Sequence, residues 1–289
     1  MTGDSELWRL RLLLFLLLAD LLIVISPLNT FLGDQMMLFP VKETADVAGA
    51  RAVVEKRFNV QFRDASFSSA DGKRLHGWYL ELPGAKKTYL FSHGNAGNIS
   101  QRLLPIAALL ESGGSVFIYD YQGFGRSEGR ASFRSLVPDG LAAYDYLRDK
   151  LHADPSRIIS YGESLGCAIA TKIMEERPVA GVVLQSPFSS LVETARDKLP
   201  WTVLYPETLF PQRFLDNVRP YEKNHPPLLV LHGSRDSILP ERYAREIIAH
   251  ALEPKRLELM PGTGHAFYLS DIAPTMAALR TFLHELPEN

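Results

Sequence analysis

The segment that most constrains the fold runs from residue 157 to residue 177 and reads RIISYGESLGCAIATKIMEER. Residues 157–161 have the composition of a short buried strand. They lead into Gly162-Glu163-Ser164-Leu165-Gly166, and a helical run of small residues begins at Cys167. A strand, a tight Gly-x-Ser-x-Gly turn and a helix together form a nucleophile elbow, in which a strained turn lifts the serine hydroxyl above the end of a parallel sheet. The pattern predicts that Ser164 is a nucleophile.

The same five-residue pattern occurs a second time, around Ser127, in Gly125-Arg126-Ser127-Glu128-Gly129. Its surroundings, YDYQGFGRSEGRAS, are polar and rich in glycine, which is typical of an irregular loop. No strand directly precedes this copy and no helix directly follows it. The sequence context therefore favours Ser164 over Ser127 as the nucleophile.

A serine nucleophile needs a base and a group that orients the base. After a nucleophile elbow, an acid and then a histidine follow along the chain, each in a loop after a late strand. Asp236 lies just after the apolar run PLLVLHG, and His265 lies just after RLELM. We therefore expect both side chains at the sheet edge that carries Ser164. Asp120 is the main alternative acid, but it precedes Ser164 and begins the glycine-rich loop.

The sequence also predicts where the negative oxygen of an attacked carbonyl would be held. The elbow directs the Leu165 N–H and the N-terminus of the following helix towards this position. The loop HGNAGN, at residues 93–98, contains glycines that let backbone N–H groups turn towards the elbow. Asn95 is the predicted second donor, with Ala96 as its alternative. The glycine loops lack the lysine of a phosphate-binding loop and the third glycine of a dinucleotide site, and no metal-ligand spacing occurs, so we predict no cofactor and no metal.

The rest of the chain alternates short apolar runs with helical patterns. This alternation predicts an α/β fold with a mostly parallel sheet and helices on both faces. Residues 59–68 and 74–82 are expected to form an antiparallel pair around a turn at Asp71-Gly72. An insertion at about residues 186–226 is rich in proline and aromatic residues, and we expect it to form a small cap over Ser164. Because pockets are lined mainly by apolar side chains, the predicted substrate-binding residues are Phe188, Leu191 and Trp201.

The N-terminus is strongly apolar. Residues 12–25 are apolar except for Asp20, and a weaker apolar pattern continues to residue 32. A helix over residues 12–32 would span about 31 Å, close to the thickness of a hydrocarbon core. A cleaved signal peptide would need small residues at a cleavage site, which SPLNTFLGDQ does not supply. We therefore expect residues 1–36 to be a single-helix membrane anchor, with the side of the membrane undetermined, and residues 37–289 to be a catalytic domain.

Five segments together resemble the α/β-hydrolase superfamily: HGNAGN at 93–98, DYQGFGRS at 120–127, GESLG at 162–166, SPF at 186–188 and HGSRD at 232–236. More narrowly, the chain is similar to small membrane-anchored serine hydrolases whose eukaryotic relatives include protein depalmitoylases. The similarity covers residues 37–286, although the chain lacks the N-terminal cysteine cluster of the depalmitoylases. The resemblance implies an α/β-hydrolase fold and cleavage of carboxylic esters or thioesters by Ser164, His265 and Asp236, through an acyl-enzyme intermediate.

Two alternatives to an esterase or thioesterase stay open. One is an amidase or peptidase that uses the same three residues, and the other is a membrane-tethered binding protein without turnover. The expected partners are a small-molecule or lipid-like acyl ester, with acyl chains of up to about eight carbons preferred, and the membrane itself. A net charge of −2 gives no electrostatic footprint for nucleic acid.

Overall fold

The computed structural model describes residues 3–26, 30–266 and 272–287, in which strands and helices alternate. The strands are β1 (Phe39–Pro40), β2 (Arg63–Ser68), β3 (Arg74–Leu80), β4 (Thr88–Ser92), β5 (Ala96–Gly97), β6 (Ser115–Asp120), β7 (Ile158–Glu163), β8 (Gly181–Gln185), β9 (Leu228–Gly233) and β10 (Lys255–Met260). The helices are α1 (Gly3–Val24), α2 (Thr30–Met37), α3 (Ala48–Phe58), α4 (Leu103–Ser112), α5 (Phe133–Asp149), α6 (Gly166–Glu176), α7 (Leu191–Lys198), α8 (Arg242–His250) and α9 (Ala273–Glu285).

The main sheet has eight strands in the order β10-β9-β8-β7-β4-β6-β3-β2. The pairs β2–β3 and β3–β6 are antiparallel. The remaining neighbours, from β6 through β10, run parallel. β1 and β5 form a separate two-stranded parallel pair. The predicted mostly parallel sheet is therefore confirmed.

Helices cover both faces of the sheet, as predicted. Successive side chains of a strand point to opposite faces, so the central strand β4 contributes to two cores. Leu90 packs in the core that α5 and α6 cover. Its neighbours Tyr89 and Phe91 pack in the core that α4 and α9 cover. All three side chains are fully buried, and fully burying a large apolar side chain contributes roughly 1.5–3 kcal/mol.

The parallel strands place their carboxyl ends along one edge of the sheet. The loop after β4 carries Asn95, and the turn after β7 carries Ser164. The loop after β9 carries Asp236, and the loop after β10 carries His265. The topology therefore brings together four residues that are far apart in the sequence.

The insertion at about residues 186–226 contains α7 and three short 3₁₀ turns, at Pro200–Leu204, Glu207–Leu209 and Arg219–Glu222. Phe188 and Leu191 from this insertion are buried in the same core as Leu165, and Met37 of α2 packs against that core. The insertion and α2 therefore lie on the side of the sheet where the predicted catalytic residues are found.

The prediction of a membrane anchor is wrong. The N-terminal residues do form a helix, α1, but within the described parts of the chain no helix is both long and apolar enough to cross a membrane. The physical reason is that α1 ends at Val24 and that charged residues precede and interrupt its apolar run. Asp4, Glu6, Arg9, Arg11 and Asp20 all lie within α1, so the stretch without a charge, residues 12–19, spans only about 12 Å as a helix. The predicted membrane localisation is therefore wrong, and association with a membrane through this helix is not supported.

Candidate active site

The Gly-x-Ser-x-Gly turn is a tight turn between β7 and α6, as expected. Ser164 adopts the left-handed region of backbone conformation, with φ 54°, which is strained for a residue with a side chain. The two glycines are required by close packing. A Cβ at Gly162 would lie 2.4 Å from Cys167 Cα, and a Cβ at Gly166 would lie 1.9 Å from the Ser92 carbonyl oxygen. The strained position is held by a hydrogen bond of 2.8 Å from Ser164 N–H to the Gln185 carbonyl.

The structure brings together His265 and Asp236, the two residues that the sequence predicts as the base and the acid. The His265 Nδ1 and Asp236 Oδ2 atoms are 2.6 Å apart. The other carboxylate oxygen of Asp236 accepts hydrogen bonds from the backbone N–H groups of Ile238 (2.8 Å) and Leu239 (2.9 Å). Asp236 is buried, which by itself raises its pKa, but the hydrogen bonds from His265 and Leu239 outweigh burial and lower the pKa below its ordinary value. The Asp236 carboxylate is therefore ionised and fixes the orientation of the imidazole.

Ser164 and His265 line one cavity of about 430 Å³. The same cavity is lined by five other residues that the sequence singles out: Leu165, Asn95, Ala96, Phe188 and Leu191. Trp201 does not line it. It lies instead in a smaller neighbouring cavity, together with Leu191. A larger groove, of about 680 Å³, contains Thr88, Ser115 and Arg157, which lie at the amino ends of strands and so at the opposite edge from Ser164.

The HGNAGN loop is held against both the elbow and α2. The Asn95 side-chain amide donates a hydrogen bond of 2.7 Å to the Met37 carbonyl, so this amide group is engaged within the protein. A donor from Asn95 to a bound oxyanion would therefore be its backbone N–H. Arg102 joins the loop to the elbow, because its guanidinium donates to the Ala96 carbonyl (3.0 Å) and to the Glu163 carboxylate (2.8 Å).

Several residues of the cavity were not predicted from the sequence. Met36 and Met37 from α2 and Phe133 from the start of α5 contribute apolar wall, and Arg102 contributes charge. Met36 was assigned to the N-terminal anchor, and Met37 to the start of the following domain. The sequence does indicate that a helix begins at Phe133, because Ser132 caps that helix. The start of a helix does not reveal which cavity its first residue lines. These contacts arise from tertiary packing.

The alternative residues have structural roles. Asp120 is fully buried, and its carboxylate accepts a hydrogen bond from Ile99 N–H (3.0 Å) and lies 3.5 Å from His93 Nε2. Burial raises the pKa of Asp120, but its hydrogen bonds with His76 and His93 outweigh burial and lower it. Ser127 is also buried, and its hydroxyl donates to the Asp120 carbonyl (2.6 Å) and accepts from His76 N–H (2.9 Å).

Comparisons with known proteins agree with this architecture. The family model described as serine aminopeptidase, S33 (Hydrolase_4) matches residues 83–220. The uncharacterized protein Rv2307c of Mycobacterium tuberculosis is 38% identical over 229 residues, covering 77% of this chain and 79% of that protein. The Pyrococcus furiosus esterase Pf2001 superposes with a TM-score of 0.68 at 20% identity, covering 86% of this chain and 97% of that chain. A puromycin-hydrolyzing peptidase of Mycobacterium tuberculosis superposes with a TM-score of 0.63 at 19% identity, covering 78% of this chain and 39% of that chain.

The sheet order, the elbow and these matches define a serine hydrolase of the α/β fold. The chain belongs to the α/β-hydrolase superfamily and shares a family with Rv2307c. At 19–20% identity the two solved structures show likeness of fold alone.

Proposed function

We propose that this protein hydrolyses carboxylic esters or thioesters through Ser164, His265 and Asp236. The observation that carries the proposal is the 2.6 Å contact between His265 Nδ1 and Asp236 Oδ2. His265 also lines the same cavity as Ser164. An oriented base beside a strained serine is the arrangement that makes a weak hydroxyl nucleophilic.

The proposed reaction is acyl transfer to water. His265 Nε2 takes the proton of the Ser164 hydroxyl as its oxygen attacks the carbonyl carbon. Asp236 stabilises the imidazolium that forms, and His265 then gives the proton to the departing alcohol or thiol. The Leu165 and Asn95 backbone N–H groups are the proposed oxyanion donors, with Ala96 as the alternative to Asn95. Water, activated by the same histidine, then releases the acid and restores Ser164.

The charges in the cavity favour an ester of an apolar acid over an aminopeptidase substrate. An aminopeptidase binds a positively charged α-amine, which calls for an unpaired carboxylate near the nucleophile. Among the described residues that line the cavity, Glu163 supplies the only carboxylate. The Arg102 guanidinium donates to it at 2.8 Å, and both side chains are only 10% exposed. Arg102 therefore neutralises the one group that would attract an amine.

Covalent labelling with a fluorophosphonate tests the nucleophile. The Ser164→Ala protein should not be labelled and should not hydrolyse p-nitrophenyl acetate. Ser127→Ala is the matched control, since it occupies the second Gly-x-Ser-x-Gly copy, and it should be labelled at Ser164 like the wild type. Full labelling of Ser164→Ala would contradict the assignment. A wild-type protein that is neither labelled nor active on any ester would favour a binding protein without turnover.

A peptidase on the same three residues is the second candidate. It is supported by the serine aminopeptidase description of the matching family and by the puromycin-hydrolyzing peptidase among the structural neighbours. Matched p-nitrophenyl ester, thioester and p-nitroanilide substrates with the same acyl group separate the possibilities. We expect turnover of the ester and the thioester, and turnover of an aminoacyl anilide at a higher efficiency than the ester would reverse the order of the two candidates.

A further inference from the structure

A second cavity of about 210 Å³ lies beside the Ser164 cavity. The two cavities share six lining residues, which are Met36, Met37, Phe133, Leu191, Ala195 and Leu199. The two cavities are therefore adjacent, with these side chains between them. Two of the shared residues are methionines, whose flexible side chains adapt readily to a neighbouring group.

The second cavity, which we name the α2–α7 chamber, is built from parts of the chain outside the central sheet. Gly33 and the methionine pair come from α2, Val192 comes from α7, and Trp201 comes from the 3₁₀ turn that follows. Its wall is mainly apolar, and the polar side chains in it are Ser26, Thr202 and Gln212. The α2 helix lies outside residues 83–220, the stretch that matches the family model.

We propose that the α2–α7 chamber binds the distal part of the substrate's acyl chain. The inference rests on the proposed esterase function and adds to it the class of acyl group. The volume of about 210 Å³ corresponds to about seven waters at roughly 30 Å³ each, and a methylene occupies a similar volume. The Ser164 cavity holds the ester group and the first carbons, and the chamber holds the remainder, so the preferred acyl chain has about eight to ten carbons.

The free space around Gly33 permits a substitution that fills the chamber with little disturbance of the surrounding residues. A Cβ at Gly33 would meet a single neighbouring atom, Gln212 Nε2, at 3.9 Å, which is ordinary van der Waals contact. A Cβ there fits without displacing backbone, and the remainder of a leucine side chain is expected to extend from it into the chamber that Gly33 lines. Gly49, in the exposed helix α3, has nothing within 4 Å of its Cβ position. Gly49→Leu is therefore the matched control, because it adds the same side chain to another helical glycine.

The experiment measures kcat/KM for p-nitrophenyl esters from acetate to decanoate. For the wild type and Gly49→Leu, the value should rise to octanoate or decanoate, by up to about fourfold for each methylene buried. For Gly33→Leu, the ratio of octanoate to acetate efficiency should fall by at least tenfold, with the maximum at butyrate or hexanoate. Hydrolysis whose chain-length profile is flat, or is the same in Gly33→Leu as in the wild type, would overturn the chamber assignment. Failure of the proposed esterase function would give a different result from failure of the chamber assignment, because then no ester at all is turned over at Ser164.

A binding measurement keeps the proposal testable if Gly33→Leu does not fold. Trp201 lines the chamber and not the Ser164 cavity, so its fluorescence reports on the chamber. Phosphonylation of the wild type with an octyl p-nitrophenyl phosphonate should change the tryptophan emission, whereas the methyl phosphonate should not. Trp201→Phe should remove the change. Equal emission after octyl and methyl labelling would show that the chain does not enter the chamber.

Discussion

At the scale of single residues, Asp236 contacts His265 with one carboxylate oxygen and accepts backbone hydrogen bonds with the other, and one substitution tests the role of its charge. Its Oδ2 meets His265, while its Oδ1 accepts from the Ile238 and Leu239 N–H groups. Asp236→Asn keeps the shape and an acceptor but removes the charge that stabilises the imidazolium. We expect kcat to fall by about 10⁴-fold, as when the orienting carboxylate of a serine triad is lost. The kcat is measured by steady-state kinetics on p-nitrophenyl butyrate, and circular dichroism verifies that the variant is folded.

Asp120→Asn is the control for Asp236→Asn. Asp120 is fully buried beneath the HGNAGN loop, 3.5 Å from His93. Asp120→Asn should therefore lower the stability of the fold, while the molecules that remain folded should keep most of their turnover. A far greater loss of kcat in a folded Asp120→Asn protein than in Asp236→Asn would show that Asp120 is the catalytic acid.

Asn95 gives a second prediction at this scale. Its side-chain amide is engaged with the Met37 carbonyl at 2.7 Å, so the proposed oxyanion donor is its backbone N–H, which alanine retains. We expect Asn95→Ala to lower kcat by less than about tenfold. Loss of a true side-chain donor costs about 10²–10³-fold, and a loss of that size would mean that the Asn95 side chain turns to the oxyanion during the reaction.

At the scale of elements, the carboxylate of Asp34 links α2 to α5. Asp34 Oδ1 accepts a hydrogen bond of 2.9 Å from the N–H of Phe133, the first residue of α5. A carboxylate at a helix N-terminus contributes about 0.3–1 kcal/mol. Asp34→Ala should therefore loosen α2, seen as faster hydrogen exchange of the amides of residues 33–37. Asp34→Asn, which keeps an acceptor, should exchange almost as slowly as the wild type, and equal rates in all three proteins would show that Asp34 does not hold α2.

A strand or helix could be predicted from the sequence where its burial leaves a recognisable apolar pattern, and was missed where it does not. The predicted strand at residues 88–92 coincides with β4 because a strand buried on both faces reads as a continuous apolar run. Helix α3 was not predicted, since its sequence AGARAVVEKRF has almost no apolar stripe and only Val54 is buried. The membrane-anchor prediction failed for another reason, because it treated residues 12–32 as one apolar helix, whereas α1 ends at Val24 and includes Asp20.

The same distinction applies to the candidate site. Ser164, Asp236 and His265 could be placed from the sequence, because each follows a recognisable strand and the carboxyl ends of parallel strands share an edge. The cavity that Trp201 lines could not be predicted, since the insertion folds as one helix and short turns whose packing local sequence does not encode. The arrangement of α2 and α7 around one cavity is of this kind, because the two helices are far apart in the sequence.

At the scale of the whole molecule, one buried carboxyl outside the active site should govern part of the pH dependence of stability. Asp139 of α5 is fully buried. Its carboxylate accepts hydrogen bonds from the Ser69 hydroxyl, and from the backbone N–H (2.8 Å) and side-chain amide (3.0 Å) of Gln122. Burial disfavours the charged form more than these bonds favour it, and it raises the pKa of Asp139 to about 6.

The sign of the effect follows from the direction of this pKa shift. The unfolded chain has an ordinary aspartate pKa of about 3.9, so between about pH 4 and pH 6 the folded protein binds the Asp139 proton more tightly than the unfolded chain does. The stabilisation from that proton is complete below about pH 4 and is lost as pH rises through about 6. A shift of about two units corresponds to roughly 3 kcal/mol. The free energy of unfolding should therefore gain up to that amount from Asp139 as pH falls from 7 to 4.

Urea unfolding of the wild type and of Asp139→Asn at several pH values from 4.5 to 7.5 isolates this contribution. Asparagine does not titrate, so the difference between the two pH slopes belongs to Asp139, whatever the absolute stability of the variant. We expect the wild type to become more stable relative to Asp139→Asn as pH falls through 6. Parallel pH dependences would show that Asp139 is ionised in the folded protein at an ordinary pKa, and that its three hydrogen bonds fully offset the effect of burial.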